Sequence, residues 1–412
     1  MLSSRELLRK NRDFRLLFLA SVVSLAGDWF SFVAVADLVT RLTGRPGAAA
    51  FVYAATVLPV FLASPIAGAV ADRYDRKRIL IAADVLRVPI VLVLCLAALW
   101  GSVALAISAI ILLGVGASFH DPVASAATPN LVAPEDLATA QSLTGAVWGS
   151  MLLVGAGVGG VVAEVFGMQV AFIVDAISFV VSALLIAGIR APMQERRVMS
   201  ERAGFREVIA YARSHRLVAR LVLAKVGVSS ANGTVGLLPA FGSKLGATNM
   251  ATGLLFAARG LGALLGPILV RRFAGATPKP RVIVWIVALS TLLYCGVYAL
   301  VPLTSWFALA MVLVTVAHLG GGAQWSISTY GLQVATPDRL RGRVMSLDYG
   351  LATLAIGTSS IIAGLLADAY GAPSASWWLA GIGATYGIAW LVWSLPAVQS
   401  RDAVADAVDR RV

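Results

Sequence analysis

The chain has 412 residues, of which 59% are hydrophobic and only 13% charged. So few charges cannot coat a soluble protein of this length, which excludes an ordinary water-soluble globule. The formal net charge of +12 raises polyanion binding, but the basic residues are scattered over short gaps rather than massed on one face, so nucleic acid is not an expected partner.

Twelve apolar stretches run in order over 16–38, 48–70, 78–99, 103–127, 138–165, 169–189, 217–240, 249–270, 282–302, 305–332, 344–367 and 375–396. Each holds about 20 residues or more, enough at about 1.5 Å per residue to cross a hydrocarbon core about 30 Å thick. Nearly all basic residues fall on alternate gaps. Arg5, Arg9, Lys10, Arg12 and Arg15 precede the first stretch, and Arg73, Arg76, Lys77 and Arg78 follow the second. Further arginines fill 190–220, then Arg271, Arg272, Lys279 and Arg281, then Arg339, Arg341 and Arg343, and finally Arg401, Arg410 and Arg411. The opposite gaps hold only Arg41, Arg45 and Lys244. Positive residues stay on the cytoplasmic side, so the N- and C-termini are both expected there, in the cell (inner) membrane. The first stretch is too long for a signal-peptide core and has no small-residue cleavage site, so no cleavable leader is expected. The expected architecture is all-α and integral to the membrane: twelve transmembrane helices in two pseudo-symmetric six-helix bundles.

The bundles are placed at 1–190 and 216–412, with a cytoplasmic linker over 191–215 that ends in a short amphipathic helix. Phe205, Val208, Ile209 and Ala212 share one face of it, and Arg206, Glu207 and Arg213 lie elsewhere, as suits a helix resting on anionic lipid. A repeat supports duplication. Ala127, Thr128 and Pro129 with Ser142 and Leu143 correspond to Ala335, Thr336 and Pro337 with Ser346 and Leu347. Glycines concentrate in the fifth stretch (Gly155, Gly157, Gly159, Gly160) and the eleventh (Gly357, Gly364), where small residues let helices approach closely in lipid. Repeats of this kind place a substrate site near the midplane.

Charges inside the stretches need a reason, since each costs at least about 2.5–3.5 kcal/mol at mid-depth. Asp28 stands alone near the middle of the first stretch, as a buried structural carboxylate or as a proton carrier. Asp175 in the sixth is a second proton-coupling candidate. Asp84 and Arg87, three residues apart on one helical face, form an expected pair. With Asp121, and His120 beside it, they read as one inner-side charge cluster serving a gate or a structural tie. Lys225 and Arg259 bring positive charge into the second half. Arg259 either faces an anionic substrate or pairs with Asp28 or Asp175. His318, Gln324 and Trp325 are further substrate-cavity candidates. Cys95 and Cys295 read as apolar thiols. The three histidines show no ligand spacing, so neither metal nor cofactor is expected. There is no nucleotide-binding loop and no catalytic triad or carboxylate pair at a defined site, so an enzyme is not expected.

The gap after the second stretch reads Gly68, then Asp72, Arg73, Tyr74, Asp75, Arg76, Lys77 and Arg78. It resembles the signature loop of the major facilitator superfamily, G-x-x-x-D-R-x-G-R-[RK]-x, with Asp75 standing where that family has glycine. The resemblance implies that Asp72 and Arg76 tie the two halves together when the carrier faces outward and release when the inner gate opens. A closer likeness is to the branch of bacterial macrolide, multidrug and enterobactin exporters. It is carried by Asn11 to Arg15, Gly27 and Asp28, Pro129 to Val132, Ala140 to Ser142, Asp175 to Phe179, and Leu340 to Val344. The helix-five antiporter motif G-P-x-x-G-G is partly present, with Ala156 in place of its proline.

The resulting expectation is a secondary active transporter that exports amphipathic small molecules by proton-coupled alternating access. Its partners would be a small-molecule substrate, a proton or other coupling ion and the lipid bilayer, and it would act as a monomer. The alternatives are an importer of a small polar metabolite on the same fold, or a non-transporting membrane sensor or anchor.

Overall fold

The computed structural model describes residues 2–194, 205–245, 249–274 and 278–399. Helices α1 (Ser4–Lys10) and α2 (Arg12–Thr43) begin the chain, followed by α3 (Ala48–Arg73), α4 (Arg76–Trp100), α5 (Val103–Leu131), α6 (Leu137–Phe166) and α7 (Met168–Ala187). Then come α8 (Phe205–Ser214), α9 (Arg216–Val222), α10 (Val226–Ala231), α11 (Leu238–Lys244), α12 (Asn249–Ala274), α13 (Pro280–Leu300), α14 (Phe307–Ala335), α15 (Asp338–Tyr370) and α16 (Ala372–Gln399). Eleven helical stretches among the described residues are long and apolar enough to cross a membrane, and α3, 26 residues long, supplies the twelfth.

Local chemistry sets the boundaries. Asn11 caps α2 by accepting from the Phe14 N–H at 2.9 Å, and Ser102 does the same for α5 through Leu105. Gly44 and Gly101 end α2 and α4 in the left-handed region, at φ 62° and 61°, where a β-carbon would be strained. Large apolar side chains such as Leu86, Ile177, Leu184, Leu289, Leu365 and Val392 remain exposed, as helices bathed by lipid require.

The seventh stretch departs from the expected continuous helix. It breaks into α9, α10, a 3-10 segment over Asn232–Leu237 and α11. Gly227, Gly233, Gly236 and Pro239 weaken helical continuity there, and neighbours meet the exposed backbone groups. The Gly233 N–H donates to the Ser359 hydroxyl at 3.0 Å, which itself donates to the Ser229 carbonyl at 2.9 Å. A β-carbon on Gly233 would sit 2.2 Å from the Ser359 carbonyl oxygen, so only glycine permits this approach.

Internal contacts divide the chain into two units: Met1–Val198 with Leu238–Gly260, and Met199–Leu237 with Leu261–Val412. In the first, α2 packs on α6 and α7, α4 on α5 and α7, and α3 on α5. In the second, α13 packs on α14 and α16, and α15 on α16 and the 3-10 segment.

Candidate functional site

In the first unit, Ser24, Asp28 and Ser31 fall on one face of α2 at helical spacing. Asp84 and Arg87 on α4 form an ion pair, both side chains buried. Asp28, the lone acid near the middle of its own helix, meets a neighbouring helix: its carboxylate lies 3.6 Å from the Arg87 guanidinium, which also donates to the Ser24 hydroxyl at 3.3 Å. The Arg87 stem lies where a β-carbon on Gly116 of α5 would intrude at 2.8 Å, and its guanidinium stacks 4.1 Å over Phe179 of α7. From α5, His120 places Nε2 3.6 Å from Asp84 and Nδ1 3.3 Å from Asp121. The result is a chain of ionisable side chains: Asp121, His120, Asp84, Arg87, Asp28. Its ends are open, with the Asp121 side chain 75% exposed and that of Asp28 34%, while the three middle members are buried.

Asp175 sits apart from this chain of contacts. The Ser31 and Ser178 hydroxyls donate to its carboxylate, and no cation lies within ion-pair distance among the described residues. Gly27 explains the approach, since a β-carbon there would lie 2.5 Å from the Asp175 carboxylate and 2.1 Å from the Ser178 hydroxyl. The Gly27 and Asp28 step thus brings two acids to one helix.

The signature loop works at one end of the same unit. Arg76 donates to the carbonyls of Ala126 (2.8 Å) and Met193 (3.1 Å), and Lys77 to those of Ala187 (2.8 Å) and Ile189 (2.7 Å). Lys77 thereby meets the carbonyl of Ala187, which ends α7, where a cation is favourable on dipole grounds. Asp13 accepts from the N–H groups of Arg190 and Ala191, Asn11 donates to the Leu131 carbonyl and Asn130 to that of Met193. Asp75 has φ −64° and caps α4 by accepting from the Arg78 N–H at 2.9 Å, so the turn does not need the glycine usual at this place. Arg73 is exposed. Gly68 and Asp72 lie on α3, but their side chains fall outside the described residues, as do 195–204 of the expected linker and 400–412 of the tail.

In the second unit, Lys225 of the broken stretch pairs with Asp348 of α15, both buried, with the ammonium 5.0 Å from the Trp325 ring. Gln324 donates to the Ala224 carbonyl at 2.7 Å, a group freed by the break after α9. His318 Nε2 lies 2.9 Å from the Tyr298 hydroxyl, and its ring packs edge-on against Tyr294. Of these sequence candidates, His318 and Gln324 are buried on partners within the unit, and Trp325 is half-buried.

Arg259 of α12 reaches neither Asp28 nor Asp175. It is 4% exposed and donates to the Tyr53 hydroxyl at 3.0 Å. Small residues fix it there. β-carbons on Gly253 and Gly260 would lie 2.4 Å from Ala156 O and Leu153 N of α6, while Gly155 and Gly159 meet Ala26 and Phe30 of α2. The glycine-rich run threads α6 between α2 and α12.

Sequence reasoning missed Asp348, which stands four residues into the eleventh stretch and reads as part of the loop's charges. A buried Lys225 demanding a counter-charge was the available signal. It also missed Ser31 and Ser178, ordinary hydroxyls without a pattern, and the aromatic side chains around Arg259.

The profile of the transmembrane secretion effector family matches residues 7–410. The chain is 27% identical over 276 residues to an uncharacterised major-facilitator-type transporter, YkuC, of Bacillus subtilis (strain 168), covering 63% of this chain and 64% of that one, slightly under two thirds of the relative's length. It is 30% identical to the multidrug efflux pump Tap of Mycolicibacterium fortuitum, over 88% of this chain and 91% of that one. In fold it resembles a POT family transporter solved with 5-aminolevulinic acid, with TM-score 0.75 at 12% identity over 95% of this chain and 97% of that one.

Proposed function

We propose that this chain, which belongs to the transmembrane secretion effector family of the major facilitator superfamily, exports amphipathic small molecules by proton-coupled alternating access. It is a multi-pass membrane transporter, and its ligands are the lipid bilayer and a small-molecule substrate. The likeness to the Tap multidrug efflux pump supports the outward direction.

One observation carries the coupling: the chain Asp121, His120, Asp84, Arg87, Asp28, exposed at Asp121, half-buried at Asp28 and buried between. Histidine between two carboxylates can accept a proton on one ring nitrogen and give one from the other. A proton delivered to Asp28 removes its hold on Arg87, which then rests on Asp84 alone, so loading and reorganisation are one event. Asp175 is the second coupling candidate, held by hydroxyls that tolerate either protonation state. A proton crossing about 100 mV supplies about 2.3 kcal/mol, roughly fifty-fold in accumulated gradient. Asp72 and Arg76 serve the inner gate, the repeats 1–190 and 216–412 are the moving halves, and the carrier acts as a monomer with both termini cytoplasmic.

The test is export from proteoliposomes under an imposed pH gradient. Asp28→Asn is expected to bind ethidium as the parent does, to lose substrate-induced proton release and to forfeit the roughly fifty-fold gradient. An Asp28→Asn protein that concentrates ethidium and releases protons like the parent defeats the coupling assignment. Accumulation in the opposite direction identifies an importer.

A further inference from the structure

Arg259 is surrounded by rings. Its guanidinium carbon lies 5.4 Å from the centroid of Trp148, 5.5 Å from Tyr53 and 5.8 Å from Trp29. Phe32 and Phe256 extend the aromatic cluster from Trp29, their rings 5.2 Å apart and both against it. Every one of these residues belongs to the first unit. Within about 6 Å such faces attract a cation, yet they do not replace an acceptor lying in the guanidinium plane.

Three donors in this cluster lack an acceptor among the described residues. Arg259 Nε and Nη1 are buried and make no hydrogen bond, and the indole Nε1 of Trp29 is buried and unpaired as well. No carboxylate lies within ion-pair distance of Arg259 among the described residues. The contrast with Arg87 and Lys225 is direct, since each of those buried cations has an acid of its own unit against it. A buried cation without an anion is among the costliest arrangements a protein can hold, and burial here is enforced by the glycine contacts of α6 and α12.

We propose that Arg259, with Trp29 and Tyr53, receives the anionic head of one class of exported molecule, an oxyanion such as a carboxylate carried on an aromatic or other apolar body. Guanidinium and indole offer donors only, so the ligand must bring acceptors, and the surrounding rings suit an apolar body beside them. This rests on the export reading above and adds amphipathic anions to its cargo.

The experiment uses the purified full chain in detergent, with 1-naphthaleneacetate and its neutral amide, 1-naphthaleneacetamide, as matched probes. Binding is followed by quenching of tryptophan fluorescence and by thermal stabilisation. The parent is expected to bind the acid at least about tenfold more tightly than the amide, the scale of one hydrogen bond to a charged group. Arg259→Gln should remove that preference, Arg259→Lys should keep part of it, and Trp29→Phe, which keeps a ring and loses the indole donor, should reduce it. Equal affinity for acid and amide, no binding of the acid, or full preference in Arg259→Gln overturns the proposal. Should Arg259→Gln fail to fold, an undiminished preference in both Trp29→Phe and Arg259→Lys overturns it. Concentrative export of 1-naphthaleneacetate under an imposed pH gradient, compared with protein-free liposomes, separates the two readings. Export without acid preference sinks the receptor alone, and acid preference without export sinks the direction of transport alone.

Discussion

The two units solve the same problem, charge inside a membrane, in opposite ways. The second unit closes its account locally: Lys225 and Asp348 face each other, buried, one against one. The first unit strings Asp121, His120, Asp84, Arg87 and Asp28 into a series in which acids outnumber the permanent cation, and leaves both ends open. A closed pair has one good state. An open series has several, because a proton can reside at more than one place along it. The difference separates a tie from a relay, and it is open to direct attack.

The largest effect is expected from breaking the tie on one side only. Lys225→Met leaves Asp348 buried without a partner and should lower stability by about 3–5 kcal/mol, whereas Lys225→Met with Asp348→Leu should recover most of it and still transport. Thermal unfolding in detergent and ethidium export read the two quantities, and a double variant as unstable as the single one ends the description of a self-contained pair. The same manoeuvre in the first unit should fail. Arg87→Met with Asp84→Leu leaves Asp28 without its cation and His120 with Asp121 alone, so export should stay lost even where folding is restored. Export at the parental rate in that double variant would make the series dispensable. The smallest effect belongs to the loop that joins α3 and α4: Asp75→Ala removes a cap and should cost about 1 kcal/mol of thermal stability without altering coupling.

The membrane helices were legible because apolar length and the placement of arginine are one-dimensional signals. The break in the seventh stretch was less so, since Gly227, Gly233 and Pro239 interrupt a run that remains apolar throughout, and the serines that support it lie on α15. Asp84 and Arg87 could be paired from spacing on one helix, but whether Asp28 reached Arg87 depended on how α2 and α4 are turned, which no single sequence states. Arg259 was visible as a charge out of place. Its ring of aromatic neighbours comes from α2, α3, α6 and α12, and the glycines that bring those helices together were read only as close packing. Asp75, at the place where glycine is usual, looked like a defect in the turn and is instead the residue that starts the next helix.

The bond between Lys225 and Asp348 also has a history in time. The two residues are 123 positions apart, and ribosomes add about 5–20 residues per second, so roughly 6–25 s pass before the lysine's counter-ion has been made. Throughout that interval the seventh stretch, broken and with a mean hydropathy of 1.4, enters the bilayer carrying an unmatched ammonium. Pairing within the second half is therefore incomplete until α15 arrives, and chains truncated before Asp348 are expected to be cut by protease sooner than the full chain.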